Sequence, residues 1–466
     1  MRSRLLRVGF VACASVTVAQ GANARPTVAF VDAVAGPTRG GEGGLGMPIA
    51  IFGHGFGAQR GRSRVTIGGR EVARYVTWGH ANAANRSLDM IVVQPGPKVR
   101  AGPITVDVAG TAPAVGPTFA ATRGRVLWVA PAGADSSACV FARPCATIQH
   151  VLDTLVRPGD AILVRGGELN DDEVWIRAGK GGTTGQPITI RNQPGERPTF
   201  SKHERPMIVD ASDVAVSGFD FPGGKSIGLG TETARRVRLV NSTFSGGLGF
   251  DAVGSHGDDV MVAGNVCEAS GSSVGTQGHC FYISHGHRIQ LLNNTANGAP
   301  GYGIHIFDQQ RATDDIRREI TDVLVQGNVL SGSTERSGLI LAMGDEGHRG
   351  NHIARVTIRG NTFTGNNFAG ITVGANVVDV RVEANTFVAN GRQAITISDE
   401  PTINRITIVR NDIRQSANGT CQVNCSWYAL ASVQVGPRAR GVRLTGNRYL
   451  PKPPILIGAR EVPVKR

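Results

Sequence analysis

The chain has 466 residues, a hydrophobic fraction of 41% and a formal net charge of +13 at pH 7. Its length allows two or three domains. The basic excess favours an anionic partner, although a solvated surface with no specific partner explains the charge equally well. No long apolar stretch recurs after the first 24 residues, so we expect no membrane span.

The amino terminus has the composition of a secretory signal. Basic residues open the chain, followed by the uncharged run Val8–Ala19 and the small residues Ala22–Ala24. Cleavage after residue 24 removes three arginines and no acid, which lowers the net charge from +13 to +10. We therefore expect a secreted or periplasmic protein. Because exported proteins rarely meet nucleic acid, the expected anionic partner is an acidic polysaccharide and not nucleic acid.

Six cysteines remain once the signal is removed, and they form three pairs close in sequence. An even number of cysteines suits an oxidising compartment. Spacing does not determine connectivity, and reduced thiols remain the alternative. The expected disulfides are Cys139–Cys145, Cys267–Cys280 and Cys421–Cys425.

Residues 25–122 have the pattern of a β-sandwich, with short alternating segments separated by Gly, Pro and Asn. The predicted strands are Pro48–Phe52, Arg64–Ile67, Val72–Trp78, Met90–Val93 and Ile104–Val108. The glycine-rich segment Ile49–Gly57, together with Val65–Gly69 and Gly102–Val106, resembles the immunoglobulin-like plexin/transcription-factor (IPT/TIG) domain. This resemblance implies an immunoglobulin-like spacer or accessory module, and such a fold alone does not define a function.

Residues 123–466 begin with a short predicted helix over 147–156 and continue with a repeat. The helix would cover the open end of a solenoid core. Each repeat has alternating apolar residues and ends in Asn, and successive ends lie 23 to 36 residues apart. The copies are Val260–Asn265, Ile289–Asn294, Val323–Asn328, Val356–Asn361, Val380–Asn385, Ile406–Asn411 and Val442–Asn447, with an imperfect copy at Val237–Ser242.

One repeat per coil predicts a right-handed single-stranded parallel β-helix, and the whole chain is therefore all-β. Short strands alternate inward apolar and outward polar residues, and coils stack at about 4.8 Å. Asparagine tolerates a left-handed turn and can hydrogen-bond to its counterparts in the neighbouring coils. The repeated asparagines are accordingly interpreted as structural, and the segment after Asn447 as the carboxyl-terminal cap.

Four further segments resemble pectate-lyase-like β-helices of the carbohydrate-binding and sugar-hydrolase type, and in particular chondroitinase-B-like and alginate-lyase-like members. These segments are Val126–Gly133, Pro158–Asp160, Glu173–Arg177 and Gly181–Arg191. The resemblance covers most of residues 125–460. It implies action on polysaccharides, and uronate epimerases and several lyases of this fold use His, Tyr and Arg on consecutive coils. The lysine and calcium-bound carboxylates of the chondroitinase-B-like pattern are a poorer match, because the central coils contain only Lys225.

A second strand follows each repeat, and its central residues are predicted to face outward. They are Tyr282, His305, Ile340, Thr372 and Thr396, preceded by Asp251. Adjacent coils would bring Tyr282 and His305 within about 5 Å. Removal of the proton next to a uronate carboxylate needs a base, an acid and a cation. We assign these catalytic roles to His305, Tyr282 and Arg311, with structural surface residues as the alternative.

Substrate binding is assigned to His279, His285, Asp308 and Arg349, although alternation favours a structural role for His279. The element His285–His287 lacks a third metal ligand at recognisable spacing. We therefore expect no cofactor, and calcium is the alternative source of the cation.

The preferred function is a lyase or C5-epimerase acting on a uronate-containing polysaccharide. A glycoside hydrolase is the second possibility, but Asp308 and Asp399 are three coils, or about 14 Å, apart, whereas hydrolysis needs carboxylates about 5 to 9.5 Å apart. A non-catalytic glycan-binding or structural β-helix is the third. With both ends of the solenoid capped, we expect a monomer.

Overall fold

The computed structural model describes residues 25–82, 87–136, 138–230, 233–248, 251–272, 275–308, 319–344, 352–414, 431–450, 452 and 454–462. Within these ranges the chain is almost entirely β. Its one α-helix is α1 (Ile148–Thr154), and two single-turn 3-10 helices span Glu42–Gly44 and Gly275–Gln277. None of the helices described has the length and apolar character needed to cross a membrane.

The amino-terminal region forms two small sheets, and the five strands predicted there are all present. The four-stranded sheet has the order β1 (Thr27–Val31), β3 (Ile49–His54), β7 (Asp89–Gln94), β6 (Arg74–His80). The five-stranded sheet has the order β2 (Ala35–Pro37), β9 (Ala114–Thr122), β8 (Gly102–Asp107), β4 (Arg64–Ile67), β5 (Arg70–Glu71). Their facing apolar residues, such as Ile51, Val65 and Ile104, are completely buried in one core.

The rest of the chain winds through three long parallel sheets, which confirms the predicted right-handed parallel β-helix. We call the first of them the packing sheet. Its strands are β10 (Val126–Val129), β11 (Ala161–Val164), β14 (Ile188–Asn192), β17 (Val214–Ser217), β20 (Val237–Val240), β23 (Met261–Ala263), β27 (Gln290–Leu292), β30 (Ile320–Gln326), β33 (Ile353–Arg359), β36 (Val377–Glu383), β39 (Asn404–Val409), β42 (Arg443–Thr445) and β45 (Glu461–Val462), with β26 (Gly286–His287) beside β30.

The second sheet, which we call the middle sheet, follows the packing sheet in every coil. Its strands are β12 (Gly167–Glu168), β15 (Pro198–Thr199), β18 (Asp220–Phe221), β21 (Thr243–Leu248), β24 (Val266–Ser272), β28 (Thr295–Asn297), β31 (Val329–Ser331), β34 (Thr362–Thr364), β37 (Thr386–Val388), β40 (Asp412–Arg414) and β43 (Arg448–Tyr449).

The third sheet, which we call the site sheet, completes each coil. Its strands are β13 (Val174–Ile176), β16 (Met207–Val209), β19 (Ile227–Leu229), β22 (Asp251–Ser255), β25 (His279–Ile283), β29 (Ile304–Asp308), β32 (Leu339–Met343), β35 (Ala369–Val373), β38 (Gln393–Ile397), β41 (Ala431–Val435) and β44 (Leu456–Ile457). Every neighbouring pair in the three sheets is parallel, so equivalent residues of successive coils stack in columns.

The interior of the coils is one continuous apolar core. Inward side chains of equivalent strands stack on one another, as Phe221 does on Phe244 at a ring-centroid distance of 4.7 Å and Phe363 on Phe387 at 4.9 Å. Helix α1 lies at the amino-terminal end of this core with Ile148, Val151 and Leu152 buried. Its amino terminus is capped by the side chain of Thr147, which accepts a hydrogen bond from the backbone N–H of His150.

The repeated asparagines form a buried ladder, which confirms their structural interpretation. Each side-chain Nδ2 donates to Oδ1 of the asparagine in the next coil at 2.9 to 3.0 Å and to a backbone carbonyl of the preceding coil. Glu461 ends the ladder by accepting from the backbone N–H of Asn447 at 2.9 Å. The predicted left-handed conformation, however, belongs to the preceding residue, such as Gly327 or Gly360. A backbone with positive φ suits glycine, and the asparagine is left to make the hydrogen bonds.

A second ladder, on the outside, occupies the residue just before the apolar segment of the packing sheet that repeats in eight successive coils. Its members are Asp213, Arg236, Asp259, Arg288, Asp322, Arg355, Asp379 and Arg405, all with φ between 53° and 59°. Aspartate and arginine alternate from coil to coil, and each arginine donates two hydrogen bonds to the aspartate before it, as Arg355 does to Asp322 at 2.7 and 2.8 Å. Positive φ is uncommon for arginine, so each arginine combines a costly backbone with a bidentate ion pair.

The amino-terminal region packs against the outer face of the packing sheet. Phe30 and Phe52 lie with Val240, Ala263 and Leu292 in one buried cluster. A second contact is polar: Arg191 of β14 donates from Nη1 to Oδ2 of Asp32 at 2.7 Å, with both side chains almost completely buried. The same Nη1 donates to the carbonyl of Pro48 at 2.7 Å. The two regions are therefore joined by an apolar contact and by a buried ion pair with further hydrogen bonds.

Two of the expected disulfides are present, Cys139–Cys145 and Cys267–Cys280. The third expected pair, Cys421–Cys425, lies outside the described residues, as does the segment 1–24 that was predicted to be a signal. The Cys267–Cys280 bond joins β24 of the middle sheet to β25 of the site sheet, which is the strand that carries Tyr282. It therefore restrains the strand on which the candidate site is built.

Candidate functional site

The outer face of the site sheet presents one column of stacked side chains. The pairing of neighbouring strands gives the column Trp175, Ile208, Gly228, Gly254, Tyr282, His305, Ile340, Thr372, Thr396, Gln434. The predicted neighbours Tyr282 and His305 are thus paired across adjacent coils. Gly254, and not Asp251, stands beside Tyr282, so the predicted alignment was wrong at this coil.

Tyr282 and His305 belong to a cluster of five rings, completed by His279, Tyr302 and Phe307. The ring of His305 lies at the centre, with centroid distances of 4.1 Å to His279, 4.8 Å to Tyr282, 4.9 Å to Tyr302 and 5.0 Å to Phe307. His305 is consequently only 6% exposed. It points outward, as the alternation predicts, but it is not the open surface residue that this position suggested.

His279 is held in one orientation by the backbone around it. Its Nδ1 accepts a hydrogen bond from the backbone N–H of Tyr302 at 3.1 Å. A Cβ at position 301 would lie only 2.2 Å from this nitrogen, so Gly301 is needed for the contact. Burial, with a contribution from the charge of Arg336, lowers the pKa of His279 to about 4. His279 is therefore neutral at pH 7, with its proton on Nε2.

His305 is also neutral at physiological pH. Burial, followed by the neighbouring His279 and Arg336, holds its pKa well below the usual value near 6.5. Among the described residues, nothing forms a hydrogen bond with its buried Nδ1. A buried polar atom without a partner is costly, and such atoms are often found where a group takes part in binding or catalysis. His305 is thus a neutral imidazole with an unused polar atom.

Two charged groups border the ring cluster. Arg336, which is exposed, lies in the turn between β31 and β32 and lowers the pKa of both histidines through its charge. Asp251 begins β22, and a Cβ at position 254 would lie 2.6 Å from its Oδ2, so this carboxylate occupies the space above Gly254. Burial raises the pKa of Asp251, an effect opposed by Arg205. The cluster therefore has a cation on one side and a buried carboxyl on the other.

The other predicted site residues have different outcomes. Arg311 and Arg349 lie outside the described residues, and for Asp308 only the backbone is described, at the end of β29. His285 lies at the corner after β25, where its Nδ1 is 3.4 Å from Oγ of Ser284. Its ring centroid is 5.3 Å from that of His256. The structure therefore brings together Tyr282, His305 and His279 of the predicted set.

Sequence reasoning missed Tyr302, Phe307 and Arg336. Phe307 had a usable signal, because it follows His305 by two residues on the same strand and alternation gives both the same face. Tyr302 and Arg336 occupy turns before their strands, where no periodicity applies. Their side chains join the cluster through the path of the turn, which a strand pattern does not describe.

In the part of the chain that the structure describes, the ring cluster contains no set of three potential metal ligands close together. The one set of three potential ligands found close together among the described residues is Asp135, Cys145 and His150. Cys145 is in a disulfide, and Asp135 accepts three hydrogen bonds at the start of α1, two from backbone N–H groups and one from the hydroxyl of Thr147. These roles at the helix terminus explain the set without an ion.

The ring cluster contains the kinds of group that proton transfer requires. It holds a neutral imidazole as a base, phenol hydroxyls as acids, and a guanidinium that can stabilise a developing negative charge. The flanking rings restrict the orientation of His305, which lowers the cost of positioning it.

Comparison with known proteins gives one family match over part of the chain and several remote structural similarities. The family model described as periplasmic copper-binding protein (NosD) matches residues 240–430, which is less than half of the chain. No curated protein matches the sequence. Similar solved structures include a tailspike protein of E. coli bacteriophage HK620, with 14% identity, 63% of this chain and 54% of that chain covered, and a TM-score of 0.42.

Two further similar structures are enzymes that act on polysaccharides. The alginate lyase from Paenibacillus sp. str. FPU-7 is 16% identical, with 68% of this chain and 98% of that chain covered and a TM-score of 0.37. The A-module of the mannuronan C-5 epimerase from Azotobacter vinelandii is 12% identical, with 73% of this chain and 88% of that chain covered and a TM-score of 0.33. At these identities and TM-scores the likeness carries no argument about this chain.

The described part of the matched range does not fit a copper centre of three or more ligands. His279 and His305 are close to each other, and so are His256 and His285. Neither pair, however, has a third His, Cys, Asp or Glu close enough among the described residues. We therefore derive the function from the ring cluster alone.

Proposed function

We propose that this protein acts on a uronate-containing polysaccharide by removing the proton next to the carboxylate, as a lyase or a C5-epimerase. The observation that supports this most strongly is the ring cluster, in which a neutral, unprotonated His305 stacks on Tyr282 beside the charge of Arg336. A neutral imidazole can accept a proton without first losing one. The basic surface favours the same acidic substrate.

In the proposed reaction His305 takes the C5 proton of a uronate. The electron pair of the broken C–H bond moves towards the carboxylate, and Arg336 stabilises the resulting charge. In elimination this pair then forms the C4–C5 double bond, the bond from C4 to the glycosidic oxygen breaks, and Tyr282 protonates the leaving oxygen. In epimerisation a proton returns to the opposite face of C5. In this proposal Arg336 stabilises the developing negative charge, the role that was predicted for Arg311 from the sequence. The reaction then requires no resident metal ion.

The test offers alginate, pectate, glycosaminoglycans and polyglucuronate to the protein in deuterated water and follows two signals. Epimerisation incorporates deuterium at C5, measured by nuclear magnetic resonance, whereas elimination leaves C5 without hydrogen and raises the absorbance near 235 nm, an approximate wavelength for unsaturated uronates. We expect one of these two signals from the unmodified protein and a loss of about 100-fold or more in Tyr282→Phe and His305→Gln. Arg443→Ala, an exposed change on the packing sheet, is the control and should be fully active.

The pH profile gives a second check. A base is active when unprotonated, and the pKa of His305 lies well below 6.5. Activity should therefore persist through pH 6 and fall only in more acidic solution. Binding of a polymer with neither deuterium incorporation nor unsaturated product would indicate a glycan-binding protein in place of an enzyme, and new reducing ends without unsaturation would indicate a hydrolase.

Several other properties remain proposals. We propose export through cleavage of residues 1–24, a monomeric state, a third disulfide between Cys421 and Cys425, and an IPT/TIG-like spacer role for residues 25–122. The two disulfides already described are in keeping with an oxidising compartment.

A further inference from the structure

The outer column of the site sheet continues from the ring cluster towards the amino-terminal end of the solenoid. Tyr282 is followed there by Gly254, Gly228, Ile208 and Trp175 in successive coils. Four coil steps separate Trp175 from Tyr282, or about 19 Å at the usual strand spacing. A linear polymer lying along the solenoid axis would pass over these residues in turn.

Gly228 presents no side chain on this path, although neither the backbone conformation nor the space around it requires a glycine. A Cβ there would meet only Cδ of Arg205 and Cγ2 of Ile208, both at 3.9 Å, which is ordinary van der Waals contact. A Cβ would therefore fit at position 228, and glycine leaves this space above the strand unfilled. Gly254 differs, because the carboxylate of Asp251 already occupies the space above it.

Trp175 stands at the far end of the path as an exposed aromatic residue. Its side chain is 38% exposed, and its Nε1 donates to Oδ2 of Asp210 at 2.6 Å. Its backbone N–H donates to Oε1 of Gln149 at 2.8 Å. One hydrogen bond therefore orients the ring and the other fixes the backbone that carries it, while part of the ring surface faces solvent. Amphipathic rings in this situation commonly serve as contact surfaces for ligands.

Two arginine side chains lie beside the Trp175 ring and the path that leads to it. The guanidinium carbon of Arg177 lies 4.9 Å above the Trp175 ring, with Asp153 4.0 Å from the guanidinium. Arg205, also exposed, borders Gly228 and donates from Nε to Oγ of Ser226 at 3.3 Å. The distance between Arg177 and Asp153 is long and both side chains are about half exposed, so the guanidinium retains capacity for a carboxylate ligand.

We propose that Trp175 and Arg177 form a remote binding subsite for an acidic polysaccharide, connected to the ring cluster by the path over Arg205 and Gly228. This inference rests on the proposed function for the identity of the polymer. The aromatic ring contacts a sugar face, and the two arginines pair with uronate carboxylates. The subsite makes affinity depend on length, because only an oligomer that spans about 19 Å reaches both ends.

The test measures the affinity of uronate oligomers of increasing length by calorimetry, with Tyr282→Phe as the background so that the ring stack is kept and turnover is suppressed. In that background, Trp175→Ala should weaken the binding of long oligomers about fivefold or more and leave short ones unchanged. Gly228→Phe should have the same effect by filling the path. Arg443→Ala, which changes an exposed residue of the packing sheet, is the matched control and should bind like the background.

The outcomes separate this inference from the proposed function. Equal binding of long oligomers to Trp175→Ala, Gly228→Phe and their background overturns the subsite, even where the unmodified protein incorporates deuterium or forms unsaturated product. Length-dependent binding that is lost in both variants, with neither deuterium incorporation nor unsaturated product from the unmodified protein, supports the subsite and overturns the proposed reaction. Failure of every uronate oligomer to bind overturns both.

Discussion

The packing sheet has the same strand pairing throughout, but its outer face changes halfway along the solenoid. One outward column begins with seven buried residues: Trp128, Leu163, Arg191, Ser217, Val240, Ala263 and Leu292. It continues with Gln326, Arg359 and Glu383, none of which is buried. The change coincides with the end of the cover formed by the amino-terminal region. The apolar interior of the coils thus defines the solenoid, whereas the residue types on the outer face depend on what packs against that face.

The two halves also treat charge differently. In the covered half Arg191 and Asp32 form an ion pair with side chains 2% and 0% exposed. In the uncovered half Arg355 and Asp322 form a similar pair with side chains 55% and 42% exposed. Both are arginine–aspartate pairs with short hydrogen bonds, so the comparison isolates the effect of burial. A buried charge that loses its partner is far more costly than an exposed one.

The largest expected effect is therefore the removal of one partner of the buried pair. Arg191→Ala leaves Asp32 buried and unpaired, which should lower the free energy of unfolding by about 3–5 kcal/mol. Denaturant unfolding measures this loss. The double variant Asp32→Leu with Arg191→Met removes both charges and should recover most of the stability. A loss below about 1 kcal/mol in Arg191→Ala would contradict the burial argument.

The interior of the solenoid was largely predictable from the sequence, because the alternation of apolar and polar residues is local. Val323 to Asn328, for example, predicted both a strand and a ladder position, and both are present. The Asp–Arg ladder was missed although its residues directly precede the repeats. Its members alternate in sign from coil to coil, so no single residue type recurs at the position.

Contacts between segments far apart in the sequence could not be predicted from a local pattern of residues. Asp32 and Arg191 are 159 residues apart, and nothing near either residue indicates that they meet. At the candidate site, the strand pattern predicted that Tyr282 and His305 are neighbours but gave the wrong coil alignment for Asp251. It also predicted an exposed His305, because alternation gives the direction of a side chain and not the rings that cover it.

An intermediate effect is expected from the asparagine ladder, which runs through both halves. Asn294→Ala in the covered half and Asn361→Ala in the uncovered half each leave buried hydrogen-bonding groups of the adjacent coils unsatisfied. Each should cost about 1–3 kcal/mol in denaturant unfolding. The two losses should be equal within error, because the interior is the same in both halves. A much larger loss in one half would show that the cover also supports the interior.

The smallest expected effect belongs to the exposed ladder. Arg355→Ala should lower the free energy of unfolding by only about 0.2–1 kcal/mol, and added salt should reduce the difference, since both side chains are largely solvated.

The hydrogen bonds from Arg355 lower the pKa of Asp322 to about 2. A carboxyl with a lowered folded-state pKa contributes stability above its ordinary pKa near 4, and this contribution is lost as the pH falls towards 2. The difference between the unmodified protein and Arg355→Ala, measured by urea unfolding, should therefore be constant above about pH 5 and shrink in more acidic solution. A difference that instead grows as the pH falls would mean that Arg355 stabilises the turn through contacts other than the carboxylate of Asp322.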